Sequence, residues 1–409
     1  MTRYLLVASF LFPVTVFGQQ GTVVADLDRE ITQAIAAGQL PGAVVLIGKG
    51  DEVLVRRAWG HRSVSPGAAE PMTVDTVFDL ASLTKPIATA TAVMQQVEAG
   101  RIRLDDRVAD YIPGFGKYGK DVITIRQLLT HMSGLRPDLD LGDEFEGRDT
   151  AVRYAMEEVL QSEPGTTFVY SDINFFLLAD IVARVTGTPF EEYVERHIFG
   201  PLGMRETMFL PPASLAPRIA PTQPCERLAW PCSPDADMLR GVVHDPTARR
   251  MDGVAGHAGL FSTADDLSRF ARMLLAGGTL DGARVLSAAS VARMTAASTP
   301  EGAASVRGLG WDINSAFSSN RGDLMPVGSY GHTGFTGTSI WIDPASKLYV
   351  IFLSNRVHPD GSGDVTPLRA RVASIAAGAF IAPGDLPDEA TFNRTFFPVA
   401  PPTAHCPPF

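Results

Sequence analysis

The sequence predicts an α/β (α+β) fold, in which helices flank one antiparallel sheet built from both ends of the chain. Strand-like segments lie near the start, over residues 42–60, and again over residues 308–355. The middle, about residues 83–290, is rich in helical patterns. Because helix and strand segregate along the chain instead of alternating, a doubly wound parallel sheet and a TIM barrel are disfavoured.

The first elements follow from periodicity. Apolar residues at four-residue spacing predict a helix over residues 25–38. Two strands follow over residues 42–50 and 52–60. Gly50-Asp51 between them is typical of a tight hairpin.

The rest of the chain completes the sheet. The middle predicts helices near residues 84–98, 125–131, 151–161, 173–186, 190–197 and 264–276. Three strands are predicted over residues 308–314, 331–343 and 347–355. A helix over residues 367–380, with Thr366 as its N-cap, closes the globule.

The N-terminus is typical of a targeting segment. Arg3 precedes an uncharged stretch over residues 4–17, and Val16 and Gly18 have the spacing of a signal-peptidase site. We therefore expect a signal peptide over residues 1–18, cleaved after Gly18, and a periplasmic or secreted protein. A retained anchor is the alternative, although the stretch is shorter than the roughly 20 residues of a spanning helix.

The mature chain is expected to form one two-lobed domain over residues 19–382, followed by a Pro-rich tail over residues 383–409. Its sheet lobe would comprise about residues 25–80 and 300–382, and its helical lobe about residues 83–290. The composition, with 45% hydrophobic and 20% charged residues, is that of a globular protein. The formal charge of −10 and the lack of a Lys/Arg-rich run argue against a nucleic-acid partner.

Three cysteines occur in this chain of expected export. Cys225 and Cys232 flank a short segment and could form a local disulfide, although two unpaired thiols in a surface loop are the alternative. Cys406 lies in the Pro-rich tail, where it could be free or pair between chains. No second apolar segment is long enough to span a membrane, and the oligomeric state stays open.

Ser82 and Lys85 are the first candidate catalytic pair. They lie three residues apart where an apolar helix begins, so the amine can reach the hydroxyl on one helix face. Pro86 is tolerated only near a helix start, where free N–H groups favour negative charge. A lysine can serve as the base that a serine nucleophile requires. Taken alone, the pair is more simply interpreted as a helix cap with a surface lysine.

Two further segments carry candidate site residues. Tyr170 starts an apolar helix and is followed by Asp172; such a tyrosine can transfer a proton, or it can be an ordinary core residue. His332, Thr333 and Gly334 form a Gly-containing strand segment that a ligand can approach closely.

The backbone N–H of Phe335 could form an oxyanion hole with that of Ser82. The alternative for His332 is a structural histidine on an edge strand. Other histidines lack metal-ligand spacing, so no metal site and no organic cofactor are expected. The segment over residues 253–259 lacks the preceding strand of a dinucleotide fingerprint, and it is expected to form either a loop near the cleft or a plain structural turn.

The three segments together resemble a known set. The chain contains SLTK at 82–85, YSD at 170–172 and HTG at 332–334, in the order of the S-x-x-K, Y-x-N and K-T-G motifs of penicillin-recognising enzymes. It thus resembles the serine β-lactamase / penicillin-binding protein superfamily, in its class C-like branch. LLTHMSGL and GLGW look like segments of that superfamily, and the stretch from VVHDP to DLSRFA is similar to penicillin-binding protein 4B-type DD-carboxypeptidases. The resemblance covers about residues 25–380.

The resemblance implies a β-lactamase/transpeptidase-like fold and a role for each motif. Ser82 would be acylated, Lys85 would be its general base, and Tyr170 would relay the proton to the leaving group. Thr333, with His332, would hold a substrate carboxylate or orient the carbonyl.

Two positions depart from the family pattern. His332 replaces the usual lysine, and a histidine of ordinary pKa, about 6.5, is mostly neutral at pH 7. Asp172 replaces asparagine; an ionised carboxylate only accepts hydrogen bonds, and near Lys85 it would raise the pKa of the amine.

These observations predict an exported serine hydrolase that works through an acyl-enzyme, most simply a DD-carboxypeptidase-like enzyme acting on peptidoglycan peptides. The alternatives are a β-lactamase-like carboxylesterase for short acyl esters, a weak class C-like β-lactamase, and a non-catalytic penicillin-binding module.

Overall fold

The computed structural model of the chain describes residues 14–142, 145–224 and 238–386. Most of the predicted signal peptide lies outside these residues, as do Cys225, Cys232, Cys406 and the tail after residue 386. Signal cleavage, the disulfide and the tail therefore stay predictions.

The strands of the described residues form one large sheet and two small ones. In chain order they are β1 (Gly42–Lys49), β2 (Glu52–Ser63), β3 (Glu70–Pro71), β4 (Phe78–Asp79), β5 (Met208–Phe209), β6 (Leu260–Ser262), β7 (Thr279–Leu280), β8 (Ala283–Arg284), β9 (Val306–Arg307), β10 (Asp312–Asn314), β11 (Tyr330–Thr333), β12 (Ser339–Asp343) and β13 (Leu348–Ser354). The large sheet has the order β3-β2-β1-β13-β12-β11-β10-β9, and all its pairs are antiparallel.

Both ends of the chain meet in the middle of this sheet. β1 pairs with β13 from Ala43 opposite Ser354 to Lys49 opposite Leu348. The hairpin from β1 to β2 turns at the predicted Gly50-Asp51, where Gly50 has a positive φ of 58°. The predicted α+β fold with its antiparallel sheet from both chain ends is confirmed.

The helices lie on both faces of the large sheet. In chain order they are α1 (Val14–Ala36), α2 (Thr91–Glu98), α3 (Ile125–Leu129), α4 (Arg148–Glu157), α5 (Asp172–Thr186), α6 (Phe190–Val194), α7 (Gly200–Leu202), α8 (Pro246–Arg250), α9 (Ala264–Leu275), α10 (Ala288–Thr295) and α11 (Thr366–Phe380). Side chains of α1 and α11 pack on one face of the sheet. The helices from α2 to α10 contribute to the core on the other face.

Strand β1 divides its side chains between these two cores. Val44 and Leu46 pack into the core with the middle helices, whereas Ala43, Val45 and Ile47 pack with α1 and α11. Successive side chains of a strand point to opposite faces, so a run of buried apolar residues is needed where a sheet is covered on both sides. This explains why the first predicted strand is apolar without alternation.

Helix α5 belongs to the core that the helices from α2 to α10 form on one face of the large sheet. Apolar side chains along its length are buried, and Gly187 ends it in a left-handed conformation. Of the helices within the described residues, no single one is both long and apolar enough to cross a bilayer; Asp172–Thr186 and Phe190–Leu202 reach that threshold only as a pair bent by 76°.

Several predicted elements differ from the structure. The single strand predicted over residues 331–343 is two strands, β11 and β12, which pair antiparallel with each other. Residues 308–311 form a turn between β9 and β10 instead of a strand, because Gly310 has a φ of 81° and lies where a Cβ would be 2.6 Å from the Ala90 Cβ. Thr366 is the first residue of α11 and not its cap. The Asp364 carboxylate accepts the Thr366 N–H at 2.9 Å instead.

The close packing of residues 253–259 on α5 can be tested at Gly256. A Cβ there would lie 2.1 Å from the Phe175 carbonyl oxygen and 2.7 Å from the Ala179 Cβ. We expect Gly256→Ala to lower the free energy of unfolding by about 1–3 kcal/mol, the usual cost of overpacking. Gly384→Ala is the control, since no atom lies within 4 Å of its added Cβ. Indistinguishable denaturation midpoints for the two variants would contradict this packing.

Candidate active site

The turn that carries Ser82 has an uncommon backbone conformation. Strand β4 ends at Asp79, and Ala81 is left-handed with a φ of 46°. For a residue with a Cβ this conformation costs about 1–2 kcal/mol. The buried Asp79 carboxylate supports it, since Oδ1 accepts the Ala81 N–H at 2.8 Å and Oδ2 accepts the His244 N–H at 2.7 Å. Asp79 thereby ties the serine's turn to the loop before α8.

Ser82 and Lys85 lie side by side on the helical segment that follows. A 3-10 turn over Ala81–Leu83 and a π-helical stretch over Lys85–Ala90 lead into α2. The Lys85 Nζ donates a hydrogen bond to the Ser82 Oγ at 2.9 Å. Lys85 is fully buried and Ser82 is partly exposed, so of the two only the serine can be reached from outside.

The Lys85 amine has a carboxylate neighbour. Asp172, the first residue of α5, places its Oδ1 2.6 Å from the Lys85 Nζ. Burial lowers the pKa of Lys85, but the Asp172 carboxylate and the Tyr170 phenol together raise it by more, so it lies above its usual value. Lys85 is therefore an ammonium group at neutral pH and donates to Ser82 instead of accepting its proton.

Tyr170 lies in the same crevice. Its ring stacks on the ring of His131, with centroids 4.4 Å apart, and packs against Phe317 at 5.2 Å. The Lys85 Nζ is 4.8 Å from the centroid of the Tyr170 ring. The three residues that the sequence singled out as catalytic candidates, Ser82, Lys85 and Tyr170, are thus brought together.

His131 takes part in this arrangement, although sequence reasoning regarded it as an ordinary loop or buried histidine. Its Nδ1 accepts the Ser171 N–H at 3.0 Å, which leaves the proton on Nε2. Burial, followed by the charges of Arg307 and Lys85, lowers its pKa well below the usual value. A neutral imidazole therefore supports the Tyr170 ring. The only sequence signal was its place in the LLTHMSGL segment.

His332 is the third residue of strand β11 and has a buried, neutral side chain. Its Nδ1 donates to the Thr333 carbonyl at 2.8 Å, and only 3% of the residue is exposed. Burial lowers its pKa well below the usual value, and the charges of Arg307 and Lys85 lower it further. His332 thus carries no charge at neutral pH, while the neighbouring Thr333 is partly exposed.

The loop after β11 is bound to the segment directly before the serine's turn. At Gly334 a Cβ would lie 2.4 Å from the Leu80 carbonyl oxygen, so only glycine allows this approach. The Thr338 hydroxyl donates to the Leu80 carbonyl at 2.9 Å, and the Thr336 hydroxyl donates to the Asp79 carbonyl at 2.7 Å. These bonds fix the HTG segment relative to the start of the helical segment that carries Ser82.

Phe335 follows this glycine and presents its side chain at the surface, with 47% of the residue exposed. Its ring stacks on His244 at 5.5 Å, and the Arg356 guanidinium lies 4.4 Å from its centroid. The side chain itself is therefore not part of the Ser82–Lys85 pair, and any role of Phe335 as an oxyanion donor belongs to its backbone.

A buried histidine–carboxylate pair lies behind Lys85. The Lys85 Nζ donates to the His257 carbonyl at 3.3 Å, and the His257 Nε2 is 3.0 Å from the Asp245 Oδ1. Burial opposes a charged imidazole, but Asp245 raises the pKa of His257 above its usual value. Burial raises the pKa of Asp138 to about 7, aided by the charges of Asp245 and Asp172. Sequence reasoning missed this pair, although it placed residues 253–259 near the cleft.

Arg307 was also missed. It is fully buried in β9, with its Nη1 3.4 Å from the Asp312 Oδ1 and its Cζ 5.7 Å from the centroid of the Phe168 ring. Arg307 is far from His131 and His332 in sequence. Spacing along the chain therefore gives no sign that the three residues lie near one another. Over the described ranges, no three His, Cys, Asp or Glu side chains cluster in a way that could hold a metal ion.

Comparison with known proteins agrees with this geometry. The pattern of the Beta-lactamase family matches residues 27–374. A protein of Escherichia coli (strain K12) named "Putative D-alanyl-D-alanine carboxypeptidase" is 32% identical over 359 residues, which are 81% of this chain and 82% of that protein.

Solved structures share the fold. "EstCE1, a hydrolase with promiscuous acyltransferase activity" superposes with a TM-score of 0.69 and 24% identity over 88% of this chain and 99% of that one. A penicillin-binding protein homologue from Caulobacter crescentus gives a TM-score of 0.69 and 24% identity over 87% of this chain and 97% of its own. This chain therefore belongs to the β-lactamase family, within the superfamily of serine β-lactamases and penicillin-binding proteins, and is a serine hydrolase of that fold.

Proposed function

We propose that the protein hydrolyses acyl substrates through a covalent acyl-enzyme on Ser82. The observation that carries this proposal is the 2.9 Å contact between the buried Lys85 Nζ and the partly exposed Ser82 Oγ. A serine hydroxyl is a weak nucleophile unless a positioned base takes its proton, and this amine is within reach to do so. Attack forms a bond from Ser82 Oγ to the carbonyl carbon, the bond from that carbon to the leaving group breaks, and the leaving group departs with the serine's proton. Water then attacks the acyl-enzyme, which releases the acid and returns a proton to the Ser82 Oγ.

The availability of the base is limited by Asp172. Its carboxylate keeps Lys85 protonated at rest, so the fraction of enzyme with a free amine controls how readily the Ser82 proton is taken. The centroid of the Tyr170 ring lies 4.8 Å from the Lys85 Nζ, and the Tyr170 hydroxyl would pass that proton on to the leaving group. His131 holds the Tyr170 ring by stacking and supports this path.

Two backbone N–H groups serve as the oxyanion hole, those of Ser82 and Phe335. The N–H of Ser82 lies at the start of a helical segment, where unpaired donors favour negative charge. The bonds from Thr336 and Thr338 to Asp79 and Leu80 hold the second donor's loop against the first. Preorganised donors of this kind stabilise the tetrahedral intermediate strongly.

The substrate that we favour is a peptidoglycan peptide ending in D-Ala-D-Ala, which would make the enzyme DD-carboxypeptidase-like. The E. coli relative carries that name, and it aligns with 81% of this chain. Thr333, partly exposed beside the neutral His332, would bind the terminal carboxylate through its hydroxyl. Such a substrate requires export, in keeping with the predicted signal peptide over residues 1–18.

A carboxylesterase for short acyl esters is the second candidate, and the electrostatics of the site favour it. His332 is neutral where the family usually has a lysine, and Asp172 adds a carboxylate next to Lys85. Both features weaken attraction for a carboxylate-bearing substrate and leave a neutral ester unaffected.

Labelling of Ser82 tests the acyl-enzyme directly. We expect a fluorescent penicillin to add its mass to the peptide containing Ser82, and Ser82→Ala to abolish both labelling and turnover. Release of D-alanine from a D-Ala-D-Ala peptide, set against p-nitrophenyl acetate hydrolysis, separates the two substrate classes. Undiminished activity in Ser82→Ala would end the proposal.

The limit that Asp172 sets on the base can be tested by its pH dependence. In Asp172→Asn the carboxylate that raises the pKa of Lys85 is gone, so burial lowers that pKa. The free amine then exists at lower pH, and the acidic limb of the kcat/KM profile for p-nitrophenyl acetate should shift to lower pH. Arg184→Gln, which removes a surface pair with Asp180 on the same helix, is the control. An unmoved limb in Asp172→Asn would contradict the assignment.

The role of charge at residue 332 can be tested by introducing the positively charged lysine of the family pattern. We expect His332→Lys to raise kcat/KM for a D-Ala-D-Ala peptide about tenfold or more relative to p-nitrophenyl acetate, because charged hydrogen bonds contribute about 1.5–3 kcal/mol. The ratio of the two rate constants, measured on the same preparation, cancels differences in active-enzyme content. Equal effects on both substrates would show that residue 332 does not act on the carboxylate.

A further inference from the structure

Two arginines hold the backbone of the loop that follows the HTG segment. The Arg369 Nη2 donates to the Gly334 carbonyl at 3.0 Å, and the Arg356 Nε donates to the Phe335 carbonyl at 2.8 Å. Arg369 lies in the first turn of α11, and Arg356 follows the end of β13. Consecutive carbonyls are thus fixed by side chains from two different elements.

The hydrogen bond from Arg369 to the Gly334 carbonyl also fixes the direction of the Phe335 N–H. The Gly334 carbonyl and the Phe335 N–H belong to one planar trans peptide, in which they point in opposite directions. Holding the Gly334 oxygen toward α11 therefore directs the Phe335 N–H away from α11. The Gly334 oxygen also accepts the Gly337 N–H at 3.2 Å, so a turn reinforces the same orientation.

On the side opposite α11, this loop contacts the segment that leads to Ser82. A Cβ on Gly334 would touch the Leu80 carbonyl, and the hydroxyls of Thr336 and Thr338 bond the carbonyls of Asp79 and Leu80. The loop is therefore clamped between α11 and the segment that leads into the Ser82 turn. Loss of the hydrogen bond from Arg369 would therefore tilt the peptide between Gly334 and Phe335 relative to the Ser82 turn.

The charge of Arg369 is not used in an ion pair. Within residues 14–142, 145–224 and 238–386, no carboxylate lies at ion-pair distance from it, and its Nε has no hydrogen-bond partner there. Burial, and then the neighbouring Arg356 charge, lower its pKa to about 9, although the Asp364 carboxylate acts in the opposite direction; the guanidinium is therefore still charged at neutral pH. A buried charge is costly to keep without a counter-charge. Here it donates to a carbonyl, and such a bond polarises the peptide and strengthens its N–H as a donor.

We propose that Arg369 is a positioning residue of the oxyanion hole: by binding the Gly334 carbonyl it aims and polarises the Phe335 N–H that stabilises the tetrahedral intermediate on Ser82. The inference rests on the acyl-enzyme function proposed above. It extends that function to a residue of α11 that does not touch the substrate.

Arg369→Met, Arg369→Lys and a control, Arg371→Met, test this role. Arg371 lies two residues further along α11, where its half-exposed side chain pairs with Glu30 at 2.9 Å. The assays are p-nitrophenyl acetate hydrolysis and inhibition by phenylboronic acid, which forms a tetrahedral adduct with a reactive serine. Thermal unfolding monitors folding of each variant.

We expect Arg369→Met to lower kcat about 10- to 100-fold, somewhat less than loss of a whole oxyanion donor. KM should stay within about twofold, and the phenylboronic acid Ki should rise by the factor by which kcat falls, as required of an interaction made in the transition state. Arg369→Lys, which keeps a cationic donor, should recover part of the loss, and Arg371→Met should behave as wild type.

A folded Arg369→Met with wild-type kcat, or one whose Ki is unchanged while kcat falls, would overturn the inference. If Arg369→Met does not fold, Arg369→Lys decides, since a lysine that restores folding must also show the matched change in kcat and Ki. Failure of the acyl-enzyme itself is distinguishable, because wild-type protein would then be neither labelled by penicillin nor inhibited by phenylboronic acid.

Discussion

The geometry of the site depends on how the chain enters the helix that carries Ser82. A left-handed Ala81 between β4 and the helical segment is unfavourable by itself, and it persists because the buried Asp79 carboxylate accepts the N–H groups of Ala81 and His244. Burial raises the pKa of Asp79 to about 6, so the carboxylate is mostly ionised at neutral pH and accepts both bonds. One side chain thus sets the direction of the nucleophile and anchors the loop before α8.

The same entry segment organises the second half of the site. Its carbonyls at Asp79 and Leu80 are the acceptors for Thr336 and Thr338, so the loop after β11 is positioned by contact with the serine's own strand. The sheet that delivers β11 is closed by β1 and β13 from opposite ends of the chain. The loop after β11 lies between two strands of this rigid sheet. Its residues can therefore keep hydrogen bonds to a segment that is far away in sequence.

Local patterns predicted much of this arrangement. Apolar runs fixed the strands near residues 42–60 and 347–355, and the three-residue spacing from Ser82 to Lys85 predicted their contact, since both features depend only on neighbouring residues. The left-handed Ala81, the stacking of His131 on Tyr170 and the grip of Arg369 could not be predicted in this way. Each depends on a contact with a distant segment, for which spacing along the chain carries no signal.

The positively charged side chains of Lys85 and Arg307 near Ser82 each lie next to a carboxylate. These pairs limit how strongly side-chain charges can polarise a substrate. Lys85 is paired with Asp172, Arg307 lies next to Asp312, and His332 is neutral. Without Asp172, burial would lower the pKa of Lys85, so the pair keeps the amine charged and leaves less of it as a free base. In the mechanism that we propose, polarisation of a bound carbonyl comes from aligned backbone N–H groups, which require no counter-charge and no reorganisation during the reaction. For this reason the orientation of one peptide in the loop after β11 matters more here than it would in a site where a free lysine faces the substrate.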